Sequence, residues 1–135
     1  FAGVQLRAAC AKAMAAQGHP EPTARAKVTD GYSLPARRII HTVGPIADGR
    51  PTDTHRRQLA ECYRACLDAS VAAGLSSIAF CCISTGEFHF PNEKAAEIAV
   101  ETVENYLKET GYPIKVIFNV FKDEDLIIYK NILTP

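Results

Sequence analysis

The chain has 135 residues, 47% of them hydrophobic and 22% charged, with 15 Lys plus Arg against 15 Asp plus Glu. That is one domain's worth of chain, ordinary for a globular protein and long enough to bury a real core. The zero formal net charge argues against a nucleic-acid binder that works by neutralising phosphates, and no apolar run approaches the length of a membrane span or a signal peptide.

The first segment, "FAGVQLRAACAKAMAAQG", sets Val4, Leu6, Ala9, Cys10 and Met14 at helical spacing, with Gly18 to close the helix. "HPEPTAR" is a proline-broken connector. "AKVTDGY" reads as a short edge strand. "RRIIHTVGP" reads as a better one, because Ile39, Ile40, Thr42 and Val43 are β-branched and Gly44-Pro45 stops it. "ADGRPTD" is a solvated loop, and Asp53 or Thr54 is placed to cap the next helix. That helix runs to about Gly74 with Leu59, Cys62, Tyr63, Cys66 and Leu67 on one face. "SSIAFCCI" and "KVIFNVF" are apolar at alternate and intervening positions alike, the mark of strands covered on both sides. Between them, Asn92 caps a helix that carries Ala96, Ala99, Val100, Val103 and Leu107 and ends at Gly111. "DEDLIIYKNIL" is a last short helix with acids at its positive end.

Strand–helix alternation of this kind predicts an α/β domain, in which ligands sit outside the carboxyl ends of the strands. The loop after "SIAFCC" and the loop after "VIFNVF" are therefore the segments to read for chemistry. The first is "ISTGEFHFPN". Ser84 and Thr85 offer hydroxyl donors, Gly86 lets the backbone approach a ligand, and successive N–H groups in a tight loop make an anion nest. A phosphate-cradling loop is one reading of it, and a plain strand-to-helix connection is the other.

The cysteines do not read as a site. Five of them, odd in number and without framework spacing, point to reduced thiols and the cytoplasm. Cys62 and Cys66 lie one turn apart but on the apolar face, and Cys81 and Cys82 fall in a buried strand that offers a thiolate no electropositive setting. His41 reads as a satisfied core histidine, His19 and His55 as solvated, and the pairs Arg37-Arg38 and Arg56-Arg57 as surface.

The ordered set "AKVTDGYSLPARRIIHTVGP", "LAECYRACLDASVAAGLSSIAFCCISTGEFHFP" and "KVIFNVF" resembles the macrodomain family, which binds ADP-ribose. The wording "CCISTGEFHFPN" is most similar to the zinc-dependent bacterial members that remove ADP-ribose from proteins. The likeness runs over essentially all 135 residues. It implies a three-layer α/β/α sandwich with a mixed central sheet, and one ligand across the strand ends. Ser84, Thr85, Gly86, Glu87 and Phe88 match the loop whose main-chain N–H groups hold the diphosphate, with Phe88 against the distal ribose. Asn119 and Phe121 match the wall of the adenosine pocket. Glu87 would act through its N–H, its carboxylate pointing to solvent. His89 departs from the commoner pattern, where a small residue stands, and either packs in the loop or meets the distal ribose or the leaving protein.

The resemblance also places the family's asparagine-rich catalytic loop, its adenine-reading acid and the Cys/His cluster for zinc before Phe1. The chain starts without a methionine and reads as an excerpt, the C-terminal portion (1–135) of a single macrodomain. A strand normally found between "IIHTV" and "IAFCC" would come from the completing N-terminal segment. Catalytic residues and metal ligands are thus expected outside this chain. The functions implied are zinc-assisted hydrolysis of mono-ADP-ribose from modified proteins, a non-catalytic ADP-ribose reader, or an unrelated nucleotide binder that shares only the layout.

Overall fold

Apolar spacing along the chain sorts it into alternating helices and strands, and the computed structural model, which describes residues 4–17 and 23–134, has that order. Helix α1 (Val4–Gln17) is followed by strands β1 (Ala26–Asp30) and β2 (Arg38–Thr42) and helix α2 (Asp53–Ala72). Strand β3 (Ser77–Phe80), helix α3 (Asn92–Thr110), strand β4 (Lys115–Phe118) and helix α4 (Asp123–Leu133) complete it. The stop expected at Gly18 and the connector residues 19–22, His19 among them, lie outside the described residues.

The four strands form two pairs. β1 runs antiparallel to β2, with Ala26 opposite Thr42 and Asp30 opposite Arg38. β3 runs parallel to β4, with Ser77 beside Lys115 and Phe80 beside Phe118. The mixed sheet expected from the sequence is therefore split. Between β2 and β3 lies a cleft of about 560 Å³, lined by Ile39, Ile40 and Thr42 on one side and Ser77, Ile78 and Ala79 on the other.

This cleft corrects the expectation that the apolar strands are covered on both sides. Ile78, Val116 and Phe118 pack against the core and Phe80 is buried in it. On the opposite face Ser77, Ala79, Lys115 and Ile117 are exposed, because among the described residues nothing lies over them. Cys81 is exposed and Cys82 half-buried, where a buried strand was expected. The strand ends at Phe80, and Cys81 continues its open face.

The core forms where α2 and α3 lay their apolar stripes together. Leu59, Cys62, Tyr63, Cys66 and Leu67 meet Ala95, Ala99, Val103 and Tyr106, with Phe80, Ile83 and Phe90 closing the cluster. An aromatic relay crosses the elements: Tyr63 to Phe80 at 4.8 Å, Phe80 to Phe118 at 6.3 Å, and Phe118 to Tyr129 at 5.1 Å between ring centroids. Such pairs add to the area they bury, and this relay ties α2, β3, β4 and α4 into one unit.

Helix ends carry two corrections. The cap of α2 is Thr52, one residue before the expected pair. Its hydroxyl accepts from the His55 N–H at 3.2 Å, while His55 Nδ1 accepts from the Thr52 N–H at 3.1 Å. His55 thus fills the place usually taken by Glu or Gln in a capping box and is not a solvated loop residue. Helix α3 follows Pro91 with no side-chain cap. Its Asn92 instead donates Nδ2 to Asp125 Oδ1 at 2.6 Å, joining the starts of α3 and α4. Gly111 ends α3 as expected, with φ 65° and its N–H on the Leu107 carbonyl. Among the described residues no helix is long and apolar enough to cross a membrane.

Candidate functional site

Parallel pairing of β3 and β4 delivers the chain at the same end of both strands. The Asn119 N–H reaches the Phe80 carbonyl at 2.8 Å, so the ladder runs one step past both strands. Residues 84–90 leave from β3 there and residues 119–121 leave from β4. The two segments singled out from the sequence follow the same end of the strand pair for this reason.

The loop after β3 is closed by its own backbone. The Phe90 N–H donates to the Ser84 carbonyl at 2.9 Å, and the His89 N–H to the Gly86 carbonyl at 3.1 Å. The Phe90 ring is only 1% exposed and anchors the returning limb in the core. The N–H groups of Gly86, Glu87 and Phe88 donate to no other described residue. Three successive amides without a partner among the described residues are free donors of the kind an anion nest requires.

The hydroxyls of this loop do something other than what their position suggests. Thr85 Oγ1 donates to the Cys82 carbonyl at 3.0 Å. Ser84 Oγ is buried with no hydrogen-bond partner among the described residues. It rests against Gly44, where an added Cβ would lie 2.0 Å from it. Both hydroxyls turn inward, leaving the main chain to offer donors outward.

Gly86 is not left-handed, and a Cβ built on it meets nothing within 4 Å. It leaves open space above the backbone. The left-handed residues of the loop are Ser84 (φ 66°) and His89 (φ 52°), neither of which the sequence marks as unusual. The Glu87 side chain is exposed, as is that of His89, while Phe88 is half-buried. Across the strand end Asn119 is exposed and Phe121 is 99% exposed. None of the seven candidate residues lines the cleft between β2 and β3.

A feature missed in the sequence supports the loop from below. The segment that joins the strand stop Gly44-Pro45 to the expected solvated loop "ADGRPTD" has Gly44, Pro45 and Ala47 buried, and the amides of Ala47, Asp48 and Gly49 bond to the loop carbonyls. Ala47 and Asp48 both donate to the Phe88 carbonyl at 3.0 Å, and Gly49 donates to that of His89 at 2.8 Å. The one sequence signal is the Gly44-Pro45 pair, whose pattern predicts no more than a strand stop.

The remaining candidates separate from the site. Cys62 and Cys66 are buried, and burial pushes both thiols up, that of Cys66 to about 12. Burial likewise raises Cys82 to about 11. His41 is held below its ordinary value by partial burial, with Nε2 2.9 Å from Thr29 Oγ1 and 3.8 Å from Cys10 Sγ. None of these groups belongs to the loop 84–90.

With this geometry in place, comparison with known proteins gives a consistent result. The Macro domain family profile matches residues 1–99. A protein-ADP-ribose hydrolase of Treponema medium is 49% identical over 134 residues, covering 99% of this chain and 51% of the relative. One of Staphylococcus aureus is 54% identical over 130 residues, covering 96% and 49% respectively. The chain spans about half the length of the curated relatives it matches. Among solved structures, an Oceanobacillus iheyensis macrodomain with ADP superposes with a TM-score of 0.90 at 39% identity, covering 98% of this chain and 70% of that one. With the strand pairs and helices described above, the chain belongs to the Macro domain family and has its α/β fold.

Proposed function

We propose that this chain holds the diphosphate and distal ribose of ADP-ribose, and that the full-length protein hydrolyses mono-ADP-ribose from modified proteins. The observation that carries the reading is the row of unpartnered amides at Gly86, Glu87 and Phe88, at the strand end where β4 presents Asn119 and the exposed ring of Phe121. It is supported by relatives named protein-ADP-ribose hydrolase.

In this reading the three amides donate to the phosphate oxygens, with Ser84 and Thr85 shaping the backbone that presents them. Phe88 packs on the distal ribose, and Phe121 with Asn119 walls the adenosine. Glu87 contributes its N–H while its exposed carboxylate stays in water, since a carboxylate against the diphosphate would repel it. Cleavage at the anomeric carbon passes through an oxocarbenium-like state, so rigid holding of the diphosphate and ribose fixes where water must attack. A module that holds ADP-ribose without cleaving it would need the same parts. It is favoured by one observation, that the loop supplies amide donors and exposes its only histidine.

The zinc implied by the family resemblance has no fitting ligand set here. Among the described residues no three His, Cys, Asp or Glu side chains are grouped to hold a metal ion. A zinc requirement of the full-length protein would rest on ligands outside this chain. The five free cysteines support a place in the reducing cytoplasm.

We further propose that residues 1–135 are the C-terminal portion of one macrodomain. The cleft between β2 and β3 then receives a strand from the rest of the protein. Unpaired strand edges cost about 1–3 kcal/mol for each buried group. The isolated 135 residues should therefore melt without a cooperative transition when followed by circular dichroism, and a sharp two-state transition of a monomer contradicts the proposal.

Gly86→Val is expected to fold, because a Cβ there meets nothing, yet to place a branched side chain where a phosphate oxygen belongs. ADP-ribose binding by the full-length protein, measured by titration calorimetry, should weaken by at least about 1.5–3 kcal/mol, the worth of a charge-assisted hydrogen bond. Unchanged affinity removes this loop from the site.

The two phenylalanines should separate. Phe121→Ala weakens AMP and ADP-ribose alike by about 1–3 kcal/mol through lost stacking, whereas Phe88→Ala spares AMP and weakens only ligands with the distal ribose. Equal loss of AMP in both variants shows one assignment to be wrong.

His89→Ala should retain most release of ADP-ribose from a modified protein, since a lost general base would cost about 10²–10⁴-fold. A chelator should abolish the same activity if zinc is the family's metal here. Loss of activity in His89→Ala at normal ADP-ribose affinity, with indifference to chelator, moves the chemistry into the loop. Normal ADP-ribose affinity without any hydrolysis by the unmodified protein identifies the non-catalytic module.

A further inference from the structure

The contact between residues 44–49 and the loop 84–90 has a geometry that a simple packing contact does not require. The peptide planes 88–89 and 89–90 are each held from both sides. Their N–H groups close the loop onto Gly86 and Ser84, and their carbonyls accept the amides of Ala47, Asp48 and Gly49. The planes just before them, which carry the amides of Gly86, Glu87 and Phe88, have no such N–H partner among the described residues. The returning limb is fixed and the donor limb is presented.

Four residues at this contact are left-handed: Asp48 (φ 56°), Gly49 (φ 84°), Ser84 (φ 66°) and His89 (φ 52°). Three of them are not glycine, and such conformations persist only where the surroundings over-determine them. Here the surroundings are the opposite loop. At the other end of the contact Gly44 has no room for a side chain, since a Cβ would lie 2.0 Å from Ser84 Oγ and 2.7 Å from Ile83 Cγ2.

We propose that the segment Gly44–Gly49 is a positioning latch for the ligand loop. It sets the amides of Gly86, Glu87 and Phe88 in their donating arrangement before an anion arrives, so that binding need not order them. Gly44 is the positioning residue at its base, acting through Ser84. The inference rests on the reading of residues 84–88 as a diphosphate site, although the latch itself is a property of the backbone.

The test uses the full-length protein with Gly44→Ala, Ser84→Gly, the double variant, and Gly49→Ala. ADP-ribose and adenosine are titrated, and amide hydrogen exchange is followed in residues 84–90 and in α3. Gly44→Ala should weaken ADP-ribose by at least about tenfold while adenosine, which carries no phosphate, stays within about twofold. Exchange should quicken in the loop and not in α3. Adding Ser84→Gly removes the nearer clash and relieves the left-handed strain but leaves the 2.7 Å approach to Ile83 Cγ2, so a partial recovery of about threefold in affinity is expected. Gly49→Ala keeps the protein folded because its Cβ meets nothing. It strains only the left-handed latch residue, and about a three- to fivefold loss of ADP-ribose affinity is expected. Equal loss of adenosine and ADP-ribose, or no recovery in the double variant, reduces the contact to ordinary packing and overturns the latch. If the unmodified protein binds neither ligand, the ADP-ribose reading fails. The latch then stands or falls on whether Gly44→Ala and Gly49→Ala quicken loop exchange.

Discussion

Parallel strands end on the same side, and the candidate site depends on that constraint. The pairing of β3 with β4 in the register Phe80 beside Phe118 forces the loop 84–90 and the residues 119–121 to emerge together. Antiparallel pairing would send them to opposite ends. The pair is held in place by the aromatic relay through Tyr63, Phe80, Phe118 and Tyr129, so the position of the site is set by the core.

A loop that holds a doubly charged group must keep donors free, and free donors in a folded chain need a reason not to pair with their neighbours. The inward turn of the side chains supplies it. Thr85 Oγ1 takes the Cys82 carbonyl, Ser84 Oγ is buried against Gly44, and the Phe90 ring is sunk in the core. With the side chains and the returning limb committed to the scaffold, the amides of Gly86 to Phe88 remain available. Phe90 anchors the loop while Phe88, two residues earlier, stays half-buried, a division of labour that the spacing "FHF" permits.

Much of the fold was legible because helical and strand periods differ. The stripe Leu59–Leu67 placed α2, and Gly111 ended α3. The location of the site was legible through the α/β layout and the resemblance that named its residues. What was not legible depended on tertiary contact. Thr52 became the cap of α2 because His55 answers it, an uncommon partner in that role. Asn92 looked like a cap and is occupied by Asp125. The left-handed backbone at Ser84 and His89 leaves no mark in composition, since neither is glycine. The open face of β3 and β4 was hidden because an apolar run reads the same whether or not its second face is covered. The segment "ADGRPTD" looked solvated because its polar residues are what one sees in a string of letters, whereas its contact with the loop is made by the backbone amides of Ala47, Asp48 and Gly49.

The most direct test of the account follows the backbone amides of the full-length protein by heteronuclear NMR during titration with ADP-ribose. Charge-assisted donation to phosphate should move the Gly86, Glu87 and Phe88 amide resonances most among residues 84–90, with those of His89 and Phe90, already bonded within the loop, moving least. Saturable binding that leaves these three amides unmoved would contradict the account and place the diphosphate elsewhere.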